Sequence, residues 1–536
     1  MSDHSPEERK RISAVAAPVA GNSGKGLAGR GLIAILLFVG YYVLSLLVAA
    51  ALFFVPYAQT LLHINVAWLA LSCIFAGGLV LWSIIPRVDR FVAPGPRLSP
   101  EIHPRLFEEI GRVARALDQK LPRDVYLIAE PNAWVAQRGG LMGIGSRRVM
   151  SLGLPYLQAL TVEEFRTVLA HEFGHYWGGD TKLGPWIFKT RANIGRTLQR
   201  LGGEAATEEA AKKGLFATVK EIAKKPFELY GNMFLRVTSG ISRRQEFVAD
   251  RLAAACAGRE ATISGLRKGF MAAAAFGSYW EGALSPALNA GFLPPYSAGF
   301  GTFLECETVK RGLEEALGKE IETGSSEPYD SHPSLKERIE ALSALPAGPS
   351  PEAAGDPAIT LLEDTREPER ALFRILNPAE GETLKPIAWD EVLGAVYVPY
   401  WGSLAEKHRS DLAGITLGNL PMTIGRLGEL GTKMADTALT MSTADQAKGY
   451  AIYVLYSAAA TRLVQLGWQA SAGFVGFVTM SRGDLSWEPL PRISELLSGE
   501  MPPDQWQELC AKLGIAGIAL SEDPGSGPEA PSGRSQ

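Results

Sequence analysis

The spacing of hydrophobic and polar positions changes several times along this chain, and each change predicts a different element. Residues 1–30 are polar, rich in Gly, Ser and charge, and carry Arg9, Lys10, Arg11, Lys25 and Arg30; they read as a disordered leader. Between Gly31 and Pro86 there is no Asp, Glu, Lys or Arg. The runs GLIAILLFVGYYVLSLLVAAALFFV (31–55) and VAWLALSCIFAGGLVLWSII (66–85) each suffice to cross a bilayer as a helix. Joined by the short PYAQTLLHIN, they predict a transmembrane hairpin over 31–86. A cleaved signal peptide is disfavoured because the first run is too long and a second follows at once. A buried hairpin in a soluble core is disfavoured because charge-free runs of this length are rare outside membranes. Lys25 and Arg30 precede the hairpin and Arg87, Arg90 and Arg97 follow it, while the connector has no Lys or Arg. The positive-inside rule therefore puts both ends in the cytoplasm.

Beyond residue 95 helical and extended rhythms alternate. SPEIHPRLFEEIGRVARALDQ lines Leu106, Ile110, Val113 and Leu117 along one side, as an amphipathic helix does. DVYLIAE (124–130), AWVAQR (133–138) and RRVMSLG (147–153) read as strands, with Gly139, Gly140, Gly143 and Gly145 marking turns. Thr161 followed by Glu164 is a capping box. The helix it opens has Phe165, Val168, Leu169, Phe173 and Tyr176 on its apolar side and should end at Gly178-Gly179. Residues 346–370, rich in Pro, Ala and acid, read as a linker. Residues 371–520 form a second globular region, with strand-like GAVYVPYW and AGFVGFVTM and helical DQAKGYAIYVLYSAAATRLVQLG. Its histidine, His408, is expected at the surface, and the tail 521–536 is expected to be disordered. The predicted class is α+β: a membrane hairpin, a mainly helical domain with a small sheet over 95–345, and a C-terminal α/β region.

Composition narrows the function. A formal net charge of -4, with no basic reading helix and no phosphate-cradling glycine loop, argues against a nucleic-acid partner. The cysteines Cys73, Cys256, Cys306 and Cys510 are scattered without metal-type spacing, which fits a reducing compartment.

The chemistry-bearing stretch is VLAHEFGHYWGGD (168–180). His171 and His175 stand at i and i+4, so both imidazoles can reach one ion at the ~2.0–2.1 Å of a zinc–nitrogen bond. Glu172, one residue further round, can contact a metal-bound water without ligating the ion, and Gly174 leaves room for substrate or a neighbouring strand. The bland alternative is a core helix with two satisfied histidines. A second helical segment, SRRQEFVADRLAAACAG (242–258), places Glu246 and Asp250 four apart on one face. A catalytic zinc site needs three protein ligands and one open position, and Glu246 supplies the third. Asp250 is then free to hold the far nitrogen of a ligating histidine. Taken alone, this segment is a solvated helix face.

HEFGH followed by EFVAD resembles the gluzincin peptidases of the CAAX prenyl protease and HtpX family, which share H-E-x-x-H and E-x-x-x-D. PNAWVAQRGG (131–140) is similar to the family's N-A-[FW]-A edge strand, and SHPSLKERI (331–339) to its H-P-x-x-x-x-R-I segment. The matches keep the family's order and span about residues 100–345. The resemblance implies a zincin-like fold, with His171, His175 and Glu246 as ligands of one Zn2+ per chain and Glu172 as general base. It implies Asp250 as the partner of a ligating histidine and His332 as an oxyanion stabiliser. Arg338 would orient the oxyanion or bind substrate, and Asn132, Ala133 and Trp134 would bond substrate through their backbone. The implied function is a membrane-anchored zinc endopeptidase that hydrolyses extended or unfolded polypeptides with a zinc-activated water, as in membrane-protein quality control. It would sit in the inner (plasma) membrane, in contact with lipid through residues 31–86 and with its catalytic domain on the cytoplasmic side. A catalytically silent zinc-stabilised scaffold and a processing protease for lipidated C-termini are the alternatives, and the oligomeric state is left open.

Two regions depart from the family. The insert at about 181–241 has no clean second membrane hairpin. Instead, from Lys212 to Arg236, it combines Leu215, Phe216, Val219, Ile222 and Phe227 with Lys212, Lys213, Lys220, Lys224 and Lys225. Such a stretch suits either an anionic membrane surface or a solvated helix packed on the catalytic domain. The region after 370 has no recognised counterpart.

Overall fold

The structure is a computed structural model and describes residues 23–64, 66–85, 88–140, 145–177, 184–202, 215–327, 330, 332–346, 355–379, 381, 383–434, 444–472 and 478–521. It is mostly helical with a few small sheets and divides into two compact units, 1–274 with 311–376 and 275–310 with 377–536.

The first unit begins with helices α1 (Ser23–Leu61) and α2 (Ala67–Ile84). Ile35–Leu61 and Ala67–Ile84 are long and apolar enough to cross a membrane, and only 22% and 33% of their most apolar stretches are buried. A core hairpin of a soluble protein would hide this surface, whereas here Leu36, Leu47, Phe54, Trp68, Phe75 and Trp82 are exposed. Two further helices, α3 (Pro104–Ala116) and α4 (Leu154–Ala159), lie near a small sheet, and α3 buries Leu106, Ile110 and Val113 as its pattern predicts.

That sheet contains β1 (Arg97–Leu98), β2 (Asp124–Ile128), β3 (Ala133–Arg138) and β4 (Arg147–Gly153) in the order β1-β2-β4-β3. β4 runs parallel to β2 and antiparallel to β3, so β3 is an edge strand. The bounds of β3 and β4 match the sequence pattern, while β2 stops two residues before its expected end.

Helix α5 (Val162–Gly174) starts at the expected capping box: Thr161 Oγ1 accepts from the Glu164 N–H at 3.3 Å, and Glu164 accepts from the Thr161 N–H at 2.8 Å. The helix ends at Gly174, with His175 as its cap in helical conformation; the expected Gly178-Gly179 stop lies outside the described residues.

Helices α6 (Gly184–Gly202) and α7 (Leu215–Ala257) build the insert. At 43 residues α7 is about 65 Å long. Its first half packs Val219, Ala223, Phe227 and Phe234 against Leu37, Tyr41, Ala49, Leu52 and Ala76 of the apolar helices. Tyr41 Oη meets Thr197 Oγ1 at 2.8 Å, which donates to Ser83 Oγ at 2.7 Å, and Tyr230 donates to the Leu37 carbonyl. Val219–Phe234 of the amphipathic stretch therefore packs on the apolar hairpin. Its outer side still exposes Ile222 and Leu229. The periodicity correctly marked one apolar face, but a lone helix pattern does not say which apolar surface covers it.

Residues 355–376, expected as linker and the start of the C-terminal region, pack on the first unit. The Val162 N–H donates to the Asp356 carbonyl at 2.9 Å, and the Ala358 N–H donates to the Leu160 carbonyl at 2.8 Å. Ala358, Leu361, Leu362, Leu372 and Phe373 are buried. The few apolar residues of this Pro- and acid-rich stretch anchor it.

The second unit is built around Trp401, Leu455, Tyr456, Leu463, Ile493 and Trp506. Ala444–Gln465 is helical as expected. GAVYVPYW is not a strand: a π-turn at Leu393–Tyr397 leads into the α-helix Val398–Lys407. Leu393, Val396, Trp401 and Leu404 are its buried positions, a helical spacing that short apolar runs also allow. Of AGFVGFVTM, Val478–Met480 belongs to a strand of an antiparallel three-stranded sheet, and 473–477 lie outside the described residues. His408 is buried, contrary to expectation, with its Nε2 3.0 Å from Tyr450 Oη and its Nδ1 3.5 Å from Asp411.

Candidate metal centre

The centre forms where α5 crosses α7. Contact there is close: a Cβ on Gly174 would lie 3.0 Å from Ala249 Cα. The room left by Gly174 is therefore filled by a helix, not by substrate or a strand. The crossing sets the imidazoles of His171 and His175 4.8 Å apart and nearly perpendicular, at 85°. From α7, buried Glu246 places Oε2 3.3 Å from His171 Nε2 and Oε1 3.5 Å from His175 Nε2.

These spacings can be compared with what zinc requires. Two donors at ~2.0–2.2 Å, separated by a tetrahedral angle, stand about 3.4 Å apart. Each Nε2···Oε distance, measured to a different oxygen of the one carboxylate, lies close to that edge. Glu246 Oε2 is also buried without a hydrogen-bond partner among the described residues, a costly arrangement unless something else satisfies it. The donor set fits Zn2+. Glu172 also brings a carboxylate oxygen into a group with the two imidazoles, all within 4.8 Å of one another.

Asp250, one turn beyond Glu246, is 2.9 Å from His171 Nδ1. Helix α8 (Leu335–Ser343) supplies Arg338, whose Nε and Nη2 donate to Asp250 at 2.8 and 2.6 Å. With Nδ1 held by Asp250, His171 presents Nε2 to Glu246, the nitrogen that would lose its proton on binding a metal. Arg338, expected as an oxyanion or substrate group, spends its fork on Asp250.

The charges hold one another. Burial raises the Asp250 carboxyl, but Arg338 and His171 outweigh it and hold Asp250 below its usual range. Burial likewise opposes ionisation of Glu246, yet the neighbouring His171 and His332 imidazoles keep it well below its usual range. Burial alone would lower His171, but the Asp250 and Glu246 carboxylates push it up to about 10. Burial and the neighbouring His171 charge lower His175 to about 4. Burial raises Glu172 to about 7. His332 places Nδ1 3.1 Å from Glu246 Oε1 and is raised chiefly by that bond.

At the edge strand, the Gly153 N–H donates to the Asn132 carbonyl at 2.8 Å. With the observed register, residues 132, 134 and 136 then aim their backbone at β4, while Ala133, Val135 and Gln137 aim theirs at the open edge. Of the three expected substrate contacts, Ala133 alone presents its backbone outward; those of Asn132 and Trp134 are directed inward. The sequence reading missed three neighbours. The Val135 N–H bonds the Glu172 carboxylate, the Val135 carbonyl accepts from Tyr176 Oη at 2.8 Å, and Tyr156 of α4 lies within electrostatic reach of Glu172 and Arg338. The i, i+4 spacing of Glu172 and Tyr176, the same as that of the two histidines, was the available signal.

Residues 100–345 match Peptidase family M48. The chain is also similar to Protease HtpX of Psychrobacter sp. (strain PRwf-1), 24% identical over 306 residues that cover 54% of this chain and 87% of that protein. No solved structure matches it. The matched span contains the histidine pair, both acidic residues of α7, the edge strand and Arg338, so the similarity to Peptidase family M48 and to an HtpX protease covers the whole candidate centre.

Proposed function

We propose that the chain is a membrane-anchored zinc endopeptidase acting on extended or unfolded polypeptides. The observation that supports this most is the 3.3 and 3.5 Å spacing of Glu246 from the two imidazoles. His171, His175 and Glu246 would hold one Zn2+ and leave a fourth position open. When bound, zinc supplies Lewis acidity toward water and the scissile carbonyl. Glu172 takes the proton of the attacking water and returns it to the leaving amine; its carboxyl, raised to about 7 by burial, is suited to both transfers near neutral pH. His332 donates to the carbonyl oxygen as charge develops there. Asp250, itself held by Arg338, orients His171. A peptide adds as a strand beside Ala133. Such pairing suits extended chains, which supports a role in membrane-protein quality control. Helices α1 and α2 anchor the chain in the inner membrane, and the basic residues flanking them favour a cytoplasmic catalytic face.

The test is Glu172→Gln in the full-length protein, with unfolded casein as substrate. The expected result is loss of at least about 100-fold in hydrolysis with zinc content unchanged. Casein cleavage equal to wild type would refute the proposal.

A further inference from the structure

The open edge of β3 offers outward backbone groups at Ala133, Val135 and Gln137, about 6.7 Å apart. A peptide adding to that edge would ordinarily pair with each in turn. The middle one is already engaged from within the protein. Its N–H is bonded by the Glu172 carboxylate, and its carbonyl accepts from Tyr176 Oη at 2.8 Å. Tyr176 is itself held in place, because the Arg148 guanidinium lies 4.3 Å from its ring centroid. Arg148 pairs with Gln137 across the ladder, so the ring lies toward the Gln137 half of the edge. The Ala133 half is left for substrate.

We infer that Tyr176 is a positioning residue that occupies the Val135 carbonyl, confines peptide pairing to the Ala133 side, and so fixes which bond lies beside Glu172. This rests on the peptidase reading. It makes the register of the bound peptide a property of one phenolic hydroxyl. Without that hydroxyl, the Val135 carbonyl becomes available to a substrate N–H, and the peptide can also settle two residues along.

Tyr176→Phe removes the hydroxyl and keeps the ring under Arg148. The full-length protein in detergent is assayed on unfolded casein with product termini mapped by mass spectrometry, and on one fixed peptide for kcat and KM. Zinc content and thermal unfolding are measured in parallel. The expected result is a second set of termini displaced by two residues. On the fixed peptide the shifted register is non-productive, so kcat and KM should fall together by about two- to tenfold, the effect of one neutral hydrogen bond, with zinc content unchanged. If the variant does not fold, Arg148→Met, which releases the ring, should give the same second set more weakly. Wild-type termini with both constants unchanged, or a fall in kcat with KM constant, would overturn the inference alone. A wild-type protein that leaves casein intact overturns the peptidase reading and this inference with it.

Discussion

Replacing Asp250 with Asn separates two jobs that one carboxylate performs. The amide keeps the shape and still offers a carbonyl oxygen to His171 Nδ1–H, but it removes the charge facing Arg338. Asp250 is 1% exposed and the Arg338 side chain 16%, so water replaces little of what is lost. Breaking one side of a buried ion pair costs about 3–5 kcal/mol, because the remaining charge is left without compensation. Weakening the group that holds a metal-ligating histidine lowers metal affinity by about 10–100-fold, or roughly 1.4–2.7 kcal/mol. Full-length Asp250→Asn should show both effects, by thermal unfolding and by zinc competition against a chromophoric chelator. The double variant Asp250→Asn with Arg338→Met removes both buried charges. It should regain much of the stability while its zinc affinity stays weak. Wild-type zinc affinity in the single variant, or recovered affinity in the double one, would refute the assignment of Asp250 to His171.

Three further outcomes follow from the same geometry. Zinc uptake at pH 7 should release about one proton, read by calorimetry in buffers of different ionisation enthalpy: His171, at about 10, holds a proton that ligation must displace, whereas His175, at about 4, is already neutral. Gly174→Ala should weaken zinc binding, because a Cβ 3.0 Å from Ala249 Cα pushes α5 away from Glu246; its overpacking cost of about 1–3 kcal/mol outweighs the roughly 1 kcal/mol a helix gains from Gly to Ala. Burial raises Glu164, but bonds from Lys268, Ser264 and Thr161 hold its carboxyl below 4.5, so its stabilisation is present above that pH and is lost as pH falls through the folded value. Acid unfolding below pH 4.5 should therefore be shallower in Glu164→Gln than in wild type.

Much of the site was legible in the chain because its signals are local. The capping box at Thr161 and Glu164, the strands 133–138 and 147–153, and the i, i+4 spacings of His171 with His175 and of Glu246 with Asp250 each depend on residues a turn or two apart. What escaped depends on partners far along the chain. Which groups of β3 face outward follows from its register on β4, where a slip of one residue exchanges Ala133 for Trp134. Gly174 has a tight contact only because Ala249 meets it. The anchoring of residues 355–376 through Ala358, Leu361, Leu362, Leu372 and Phe373, the seat of α7 on the apolar helices, and the burial of His408 are likewise tertiary facts. GAVYVPYW misled because eight residues with this spacing suit a strand or a helix equally, and packing around Trp401 decides.

X-ray absorption at the zinc edge tests the central claim most directly, on wild-type full-length protein beside Glu246→Ala. The expected result is about one zinc per chain with two imidazole nitrogens at ~2.0–2.1 Å, one carboxylate oxygen and one non-protein ligand, and loss of zinc in the variant. A zinc shell without imidazole, or one left unchanged when Glu246 is removed, would contradict the account.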